Sequence, residues 1–405
     1  MYEGYDSLTL EKYAEVILWG LERGRGNRFA KSDFVLVNYD HGALPLAEEV
    51  CAHLHDRGLV PVPRALPTPR MERDRYDRAN NKRLTVLAPG EKDLYNHLHG
   101  SITILAPASL SHLAGVAPEL LSLSQKSRQP LRSIMHTRED MGAFGWTICL
   151  YPSQALAAQA GMSIDDYARQ VELACYLETG VPVHAWRLLA KRIDILREWL
   201  DSLGDCTLRV ESDSVDLLLR VGKERRWAGL TGRNLPSYEL YVSPDYRTVE
   251  GVYYADLPSF RSGAVVSGVR LEFQAGCVTA ASSGAENVAS EFLLSQLSLD
   301  PGASRVGEFA LVDKTFSPIN HFMANTLYDE NHGGEWGSLH IALGNAYANT
   351  YTGDAAAFTE ELRRGLGFNG SLLHWDLVNT ERKRVTATLP GGARQTIYED
   401  GRFLL

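Results

Sequence analysis

The chain has 405 residues, a length that predicts two domains of about 200 residues each. Hydrophobic residues make up 44% and charged residues 22%, which excludes a disordered or fibrous chain. Asp and Glu number 50 against 41 Lys and Arg, and the net charge of −9 argues against a nucleic-acid-binding protein. The five cysteines are odd in number and form no CxxC pair, so neither a disulfide framework nor a zinc–thiolate site is expected.

The N-terminal segment carries Glu3 and Asp6 and lacks a basic region followed by an uncharged apolar one, so a signal peptide is not expected. Two longer uncharged stretches, 100–118 and 141–164, are interrupted by Pro, Gly, Ser and Gln, which disfavours a membrane span. These features predict a cytoplasmic protein that does not contact membranes.

The first half of the chain predicts helices that alternate with short apolar strands. The predicted helices are 8–23 and 44–54, and the predicted strands are 33–38, 60–62, 102–105 and 146–150. Strands separated by helices of this length favour a parallel, doubly wound sheet. Two long helices follow. Ser163 and Asp166 form a capping box that predicts where the first begins, and the second, 184–203, has apolar residues at three- and four-residue spacing.

The pattern changes at Gly204. Short strand-like segments joined by turns follow it, which is typical of a mixed, strand-rich domain. The sequence therefore predicts an α/β protein of two domains: a doubly wound domain over 1–204 and a mixed-sheet α+β domain over 205–405.

Two polar features of the first half have a structural interpretation that is favoured over a functional one. The segment 64–83 has seven basic and three acidic residues, and its low aromatic content favours a solvated helix or loop with internal ion pairs over an anion-binding patch. Asp40 and His41 follow a predicted strand, where α/β sheets often bind ligands, but a turn and helix-cap role is favoured. Neither a phosphate-binding glycine motif nor a GxSxG motif occurs in the sequence.

The strand-rich half places ionisable residues inside apolar or turn-like segments. His374 and Asp376 are two residues apart, so a strand would project both side chains to one face. His340 and Tyr347 are seven apart in a helix-compatible run, which would place them two turns apart on one helix face. Glu308 is surrounded by apolar residues, where an unpaired carboxylate is costly.

A metal ion can supply the positive charge that these carboxylates need. A set of carboxylates and imidazoles without thiolates suits Zn²⁺, Co²⁺ or Mn²⁺. Four carboxylates carry four negative charges, so two divalent ions per chain are expected, with one bridging carboxylate and an activated water. The candidate residues are Glu239, Glu308, Glu330, His340, His374 and Asp376.

The local sequences of these segments and their order along the chain resemble the thermophilic aminopeptidase family of the aminopeptidase T and aminopeptidase S type. The members of that family are dinuclear metallo-aminopeptidases. The resemblance covers nearly the whole chain and is strongest across GRNLPSYELYVSP, GASRVGEFALVD, TLYDEN, HIALGNAY and HWD. It implies a flavodoxin-like first domain, a mixed-sheet catalytic second domain and a homodimer with enclosed active sites. It also implies that the six residues above are the metal ligands and that Tyr347 is the active-site tyrosine.

The chain departs from this family pattern at two places. Tyr238 stands where the family usually has Gly before its first ligand, so a narrower pocket or a shifted Glu239 carboxylate is expected. The segment 332–337 (HGGEWG) lengthens the spacing between Glu330 and His340. Its His332 and Glu335 either line the pocket, approach a metal or lie in an exposed loop, and the exposed loop is favoured.

The resemblance implies a metal-dependent aminopeptidase acting on peptides with a free N-terminus. Metal ions bind the substrate amine, polarise the scissile carbonyl and activate the attacking water. Either Glu308 or Glu330 accepts the proton of that water, and Glu308 is favoured as bridging or base-like. Tyr347 either donates to the tetrahedral oxyanion or makes a hydrogen bond to a ligand carboxylate.

Two alternatives remain open at this stage. A mononuclear Fe²⁺ ring-cleaving dioxygenase needs two histidines and one carboxylate, and the joint presence of Glu239, Glu308 and Glu330 argues against it. A non-catalytic dimeric binding module on the same fold would tolerate the loss of a ligand, and none is lost.

Overall fold

The computed structural model describes residues 4–261, 264–284, 287–354 and 357–405. Two compact units account for the chain: Met1–Trp186 with Thr231–Pro236, and Arg187–Leu230 with Ser237–Leu405. Within the described ranges, no helix has the length and apolar character that crossing a membrane requires. The domain boundary at residue 204 stays a prediction.

Thirteen helices lie in the described ranges. They are α1 (Ser7–Arg23), α2 (Leu44–Asp56), α3 (Pro69–Arg78), α4 (Asn81–Thr85), α5 (Glu91–His97), α6 (Pro118–Ser127), α7 (Gln129–Asp140), α8 (Gln154–Gln159), α9 (Ile164–Ala174), α10 (Pro182–Ser202), α11 (Asn287–Leu297), α12 (Thr326–Asp329) and α13 (Glu360–Leu366). Two short 3-10 helices, His41–Ala43 and Ala348–Thr350, accompany them.

Twenty strands lie in the same ranges. They are β1 (Phe34–Tyr39), β2 (Val60–Ala65), β3 (Leu98–Leu105), β4 (Gly145–Leu150), β5 (Thr207–Glu211), β6 (Asp216–Arg220), β7 (Ala228–Gly229), β8 (Asn234–Leu235), β9 (Glu239–Val242), β10 (Asp245–Ala255), β11 (Ser259–Arg261), β12 (Ala264–Val266), β13 (Val269–Gln274), β14 (Cys277–Ser282), β15 (Val306–Val312), β16 (Ser338–Gly344), β17 (His374–Asn379), β18 (Arg384–Thr388), β19 (Arg394–Glu399) and β20 (Arg402–Phe403).

The first unit contains a five-stranded sheet in the order β2-β1-β3-β4-β8, in which every neighbouring pair is parallel. Its central strands are short apolar runs; Val35, Leu36 and Val37 of β1 are fully buried. Helix α1 precedes β1 in the chain, and α2 connects β1 to β2, as expected because neighbouring parallel strands need a crossover connection. The predicted parallel sheet is therefore confirmed, and the predicted helices and strands shift by a few residues at their ends.

Local signals in the first unit behave as the sequence predicts. The Ser163 hydroxyl accepts from the Asp166 amide at 3.1 Å, so the capping box begins α9. Asp40 precedes a 3-10 helix, and its carboxylate accepts from the Ala106 amide at 2.7 Å. In the basic segment, α3 carries ion pairs one helical turn apart, such as Arg73–Asp77 at 2.9 Å. The interpretation of the basic segment as a helix with internal ion pairs is confirmed, whereas Asp40 stands at the cap position without a side-chain cap hydrogen bond.

The second unit contains two large antiparallel sheets. One has eight strands in the order β14-β13-β10-β6-β5-β18-β19-β20, and the other has five in the order β17-β16-β15-β9-β7. The buried hydroxyl of Tyr253 in β10 donates to the Leu377 carbonyl of β17 at 2.6 Å and links the sheets. Every residue of β15 and β16 is buried, so these two strands form the centre of the unit.

The helix-compatible interpretation of residues 340–347 is wrong. His340 lies in β16, which ends at Gly344, and Tyr347 follows it just before a 3-10 helix. Every residue of β16 is buried, and a short, mostly apolar run does not by itself distinguish a helix from a buried strand.

Candidate metal centre

The register of the five-stranded sheet places the predicted ligands on one face. Glu308 of β15 lies opposite Ala342 of β16, and Ala342 lies opposite Asp376 of β17. His340 lies opposite Ala310, two residues further along both strands. Residues directly opposite in paired strands share a face, and so do residues two apart in one strand. Glu308, His340 and Asp376 therefore project to the same side of the sheet.

Small residues separate these ligands. Ala342 stands between Glu308 and Asp376, and Ala310 stands between His340 and Tyr241. Their methyl groups leave room above the sheet that larger side chains would fill. At the end of β16, Gly344 lies opposite His374 with φ +105°, and a Cβ there would overlap the Leu373 carbonyl. A residue other than glycine would disturb the segment that carries His374.

Five of the six predicted ligands form two groups that share Glu308. In one group, His340 Nε2 lies 3.3 Å from Glu239 Oε2 and 3.5 Å from Glu308 Oε1. In the other, His374 Nε2 lies 3.5 Å from Glu308 Oε2 and 3.3 Å from Asp376 Oδ1. All candidate ligand atoms of each group lie within 4.8 Å of one another. The two oxygens of Glu308 thus face different groups.

Glu330, the sixth predicted ligand, lies outside both groups. It follows α12, its side chain is buried, and Asn331 Nδ2 donates to its Oε1 at 3.4 Å. Its charge contributes to raising the pKa of Tyr347, so its carboxylate lies near enough to influence the centre.

Two buried polar atoms of the centre have no hydrogen-bond partner among the described residues: Glu239 Oε2 and His340 Nδ1. A buried polar atom without a partner costs about 1–3 kcal/mol, and more for a charged group. A cation beside Glu239 would remove that cost, and carboxylate oxygens with imidazole nitrogens are common ligands of Zn²⁺ and similar divalent ions. The donor set therefore fits a divalent metal.

Without a metal, the centre holds protons that an ion would displace. Burial lowers the pKa of His340, but Glu308 and Glu239 outweigh it and raise the pKa to about 9. Burial acts in the same way on His374, whose pKa the Asp376 and Glu308 carboxylates raise to about 9. Burial, followed by the charge of Glu308, raises the pKa of Glu239. Both imidazoles are consequently protonated at neutral pH until a metal binds.

Metal affinity is therefore expected to increase with pH between 6 and 9. Because the pKa values of His340 and His374 lie near 9, binding must release protons over this range. Each released proton makes the affinity about tenfold higher per pH unit. Competition titrations of Zn²⁺ against a chromophoric chelator at pH 6, 7 and 8 measure this slope. Calorimetry in buffers of different ionisation enthalpy counts the protons independently, and a flat affinity without proton release contradicts the expectation.

Tyr347 lies beside the second ligand group. Its hydroxyl is 3.1 Å from His374 Nε2, and the two ring centroids are 4.8 Å apart. The residue is 38% exposed, although its hydroxyl points to His374 of the second ligand group. Burial and the charges of Glu308 and Asp376 raise its pKa well above 10, so the phenol keeps its proton. A protonated phenol at this position can donate a hydrogen bond to a negatively charged oxygen.

Two further residues orient His374 and were not among the sequence candidates. The Asn345 carbonyl lies 3.1 Å from His374 Nδ1, which directs Nε2 toward the carboxylates. Arg261 donates from Nη1 to the His374 carbonyl at 2.9 Å and also contributes to lowering the pKa of Asp376. Arg261 is 113 residues from His374 in the chain, so no local pattern could have indicated it.

Neither departure from the family pattern adds a residue to the two ligand groups found among the described residues. Tyr238 is completely buried, and its amide donates to Asn331 Oδ1 at 2.6 Å, so its side chain belongs to the core. In the segment 332–337, Glu335 is exposed, as expected for a surface loop, whereas His332 is partly buried. Burial lowers the pKa of His332, and neither residue belongs to a described ligand group.

The fold and this centre define a metal-binding protein with one parallel sheet and a carboxylate–imidazole site on an antiparallel sheet. The model of the family described as thermophilic metalloprotease (M29) matches residues 6–403, so the chain belongs to that family. The resemblance inferred from the sequence is confirmed. Membership implies dependence on a divalent metal, in agreement with the donor set.

Curated relatives and a solved structure agree with this assignment. The chain is 29% identical to aminopeptidase T of Thermus aquaticus over 313 residues, covering 72% of this chain and 74% of that protein. It is 27% identical to aminopeptidase PepS of Streptococcus thermophilus over 312 residues, covering 72% and 73%. The structure of wild-type AmpT from Thermus thermophilus matches 98% of this chain and 99% of its own, with a TM-score of 0.78 and 22% identity. At that identity the structural match establishes the mixed α/β fold.

Proposed function

We propose that this chain is a metal-dependent aminopeptidase that removes N-terminal residues from peptides. One observation carries the proposal: the two oxygens of Glu308 face two separate ligand groups on one sheet face. A carboxylate in this position suits a bridge between two ions. The curated relatives are named aminopeptidases, which supports the same reaction class. Family membership also disfavours the dioxygenase and the binding module.

The proposed centre holds two divalent ions, Zn²⁺, Co²⁺ or Mn²⁺. Glu239, Glu308 and His340 would hold one, and Glu308, His374 and Asp376 would hold the other. When bound, such ions lower the pKa of water and polarise a carbonyl group. Glu330 is the remaining ligand that the family resemblance implies, and its buried carboxylate, whose charge acts on Tyr347, suits that role or the role of a base.

The side chains divide the remaining work of hydrolysis. With both oxygens of Glu308 directed at ligand groups, Glu308 is suited to bridging. Glu330, outside both groups, is then suited to accept the proton of the attacking water and to pass it to the departing amine. The Tyr347 hydroxyl, 3.1 Å from His374, would donate to the oxyanion that develops from the scissile carbonyl.

The proposal includes the architecture that the family resemblance implies. The parallel strands β1 to β4 support a flavodoxin-like, doubly wound domain over 1–204, followed by a catalytic domain over 205–405, and β8 extends the same sheet from residues 234–235. The proposal also includes assembly of the chain as a homodimer in the cytoplasm. Analytical ultracentrifugation of the full chain tests the dimer, for which a sedimentation mass near 90 kDa, about twice the chain mass of 44.9 kDa, is expected.

Metal analysis together with aminoacyl chromogenic substrates tests the reaction class. Two Zn, Co or Mn ions per chain with amine-dependent hydrolysis would support the proposal. One iron per chain with oxygen consumption would overturn it in favour of ring cleavage.

Blocking the substrate amine is expected to abolish turnover. An aminopeptidase binds the free N-terminus, so an N-acetylated peptide loses the group that positions the first peptide bond. Alanyl peptides with free and acetylated N-termini can be compared at equal concentration, with liquid chromatography to follow the products. Cleavage of internal bonds in the acetylated peptide at a comparable rate would remove the aminopeptidase assignment.

A further inference from the structure

A cleft of about 620 Å³ lies at one end of the five-stranded sheet, outside the two ligand groups. Its lining includes residues that flank three neighbouring strands: Arg305 just before β15, Asn345 just after β16 and Leu372 two residues before β17. Cavities of a few hundred Å³ with several polar groups are typical of small-ligand sites. The cleft is therefore large enough for part of a peptide or for a small organic acid.

Two arginines in this cleft carry incompletely partnered guanidinium groups. The Nε atoms of Arg305 and Arg363 are buried and have no hydrogen-bond partner among the described residues. Arg305 forms no described ion pair and stacks over Tyr246 at 4.7 Å. Arg363 donates to carbonyls such as Ala346 O at 3.2 Å, and its carboxylate neighbour Glu360 is 3.9 Å away. Arg305 has no described carboxylate neighbour, and the Arg363–Glu360 pair is long at 3.9 Å, so both guanidinium groups keep the capacity to bind an anionic ligand.

The charge of the lining indicates which anion fits. Three arginines and two carboxylates face the cleft, leaving one net positive charge. The Asp300 carboxylate already accepts from the Ser371 hydroxyl and the Leu372 amide, at 2.9 and 2.7 Å. Phe368 and Leu372 add apolar surface. One net positive charge beside an apolar wall suits a carboxylate attached to an organic group better than a phosphate dianion.

The cleft borders the segment that holds His374. The Asn345 carbonyl, which pairs with His374 Nδ1, belongs to a residue of the lining. Arg363 Nη2 reaches the side chain of the same Asn345 at 3.4 Å. A ligand in the cleft would therefore lie against residues that position the candidate metal centre.

We infer that this cleft is a binding site for a carboxylate, held by the guanidinium groups of Arg305 and Arg363. The carboxylate comes either from the C-terminus of a short peptide substrate or from a free organic acid such as an N-acylated amino acid. Both sources present the same planar monoanion, which a guanidinium binds through two parallel hydrogen bonds.

Calorimetry on the full chain tests the site without any turnover. N-acetyl-Ala-Ala and its C-terminal amide differ only in the carboxylate, and the acid is expected to bind at least tenfold more tightly. Arg305→Gln should remove this preference, whereas Arg394→Gln, at an exposed arginine of β19, should keep it. Arg363→Lys keeps the charge but loses the planar fork of the guanidinium, so it should lower the affinity for the acid severalfold. This variant tests the site if Arg305→Gln does not fold.

Several outcomes of the binding test would overturn the inference. They are equal affinity for acid and amide, no measurable binding of the acid, and a preference that survives Arg305→Gln. Competition between anions tests the choice of a monoanion. That choice would be overturned if inorganic phosphate displaced the acetylated peptide at a lower concentration than acetate does.

Kinetic measurements then distinguish a substrate carboxylate from a free organic acid. This experiment rests on the proposed function. If the substrate carboxylate fills the cleft, Ala-Ala-Ala amide should show a KM at least tenfold above that of Ala-Ala-Ala, and the difference should vanish in Arg305→Gln. If a free acid fills it, the two KM values agree and added N-acetylalanine changes kcat/KM. If neither peptide is cleaved, the aminopeptidase proposal fails while the calorimetric result still decides the site.

Discussion

Glu308→Gln is expected to lower kcat by a factor on the order of 10²–10⁴ while the protein stays folded. Glu308 belongs to both ligand groups, with Oε1 near His340 and Oε2 near His374. An amide of the same shape keeps the packing but provides only one good acceptor oxygen and no charge, so it cannot bridge two cations. The loss is measured as kcat at saturating metal, with metal content per chain determined in parallel.

The folded state supplies the necessary control. Glu308 repels Glu239 but attracts the protonated His340 and His374, so removing its charge has opposing effects on the metal-free centre. The metal-free variant should therefore still unfold cooperatively, with a melting temperature close to that of the parent. Glu272→Gln, at an exposed position of β13, should leave kcat unchanged. A Glu308→Gln variant that keeps more than about a tenth of the parent kcat would place Glu308 outside the centre.

The sequence was sufficient to predict the elements of the first unit. Apolar runs such as 33–38 alternate with amphipathic helices, and this alternation predicts parallel strands with crossover helices. The structure confirms both, with β1 at Phe34–Tyr39 between α1 and α2. The Ser163 capping box succeeded for a related reason, because its hydrogen bonds join residues three apart.

The candidate site was predictable only in part. His374 and Asp376 share a face because they are two apart in β17, which the sequence predicts correctly. The helix-compatible interpretation of 340–347 is wrong, since a short run that is buried on both faces does not distinguish a strand from a helix. The pairing that brings Glu308 opposite Ala342 depends on strand register, and Arg261 reaches His374 across 113 residues. Such long-range pairings leave no local pattern in the sequence. The complete set of candidate site residues therefore rested on the resemblance to a family and not on residue spacing.

Tyr347→Phe is expected to lower kcat by about 10²–10³, corresponding to about 2.7–4 kcal/mol, with KM and metal content nearly unchanged. The phenol keeps its proton among the carboxylates of the centre, so it can donate to an oxyanion. A bond that forms only to charge developed in the transition state contributes nothing to ground-state binding, which is why KM should not change. Tyr241→Phe is the matched control, because that ring lies 5.7 Å from the Tyr347 ring and its hydroxyl accepts from Asn349 instead.

A metal titration of the Phe variant separates the two roles that its position allows. The alternative role is a hydrogen bond from the Tyr347 hydroxyl to a ligand carboxylate, and the charges of Glu308 and Asp376 both act on this phenol. Loss of an orienting hydrogen bond weakens metal binding by about 10–100-fold and is overcome by excess Zn²⁺ or Co²⁺. Loss of an oxyanion donor is not overcome at any metal concentration, because the missing interaction is with the substrate. A kcat that stays low at saturating metal therefore assigns Tyr347 to the oxyanion, whereas full recovery assigns it to a ligand carboxylate and leaves the oxyanion to the metal centre alone.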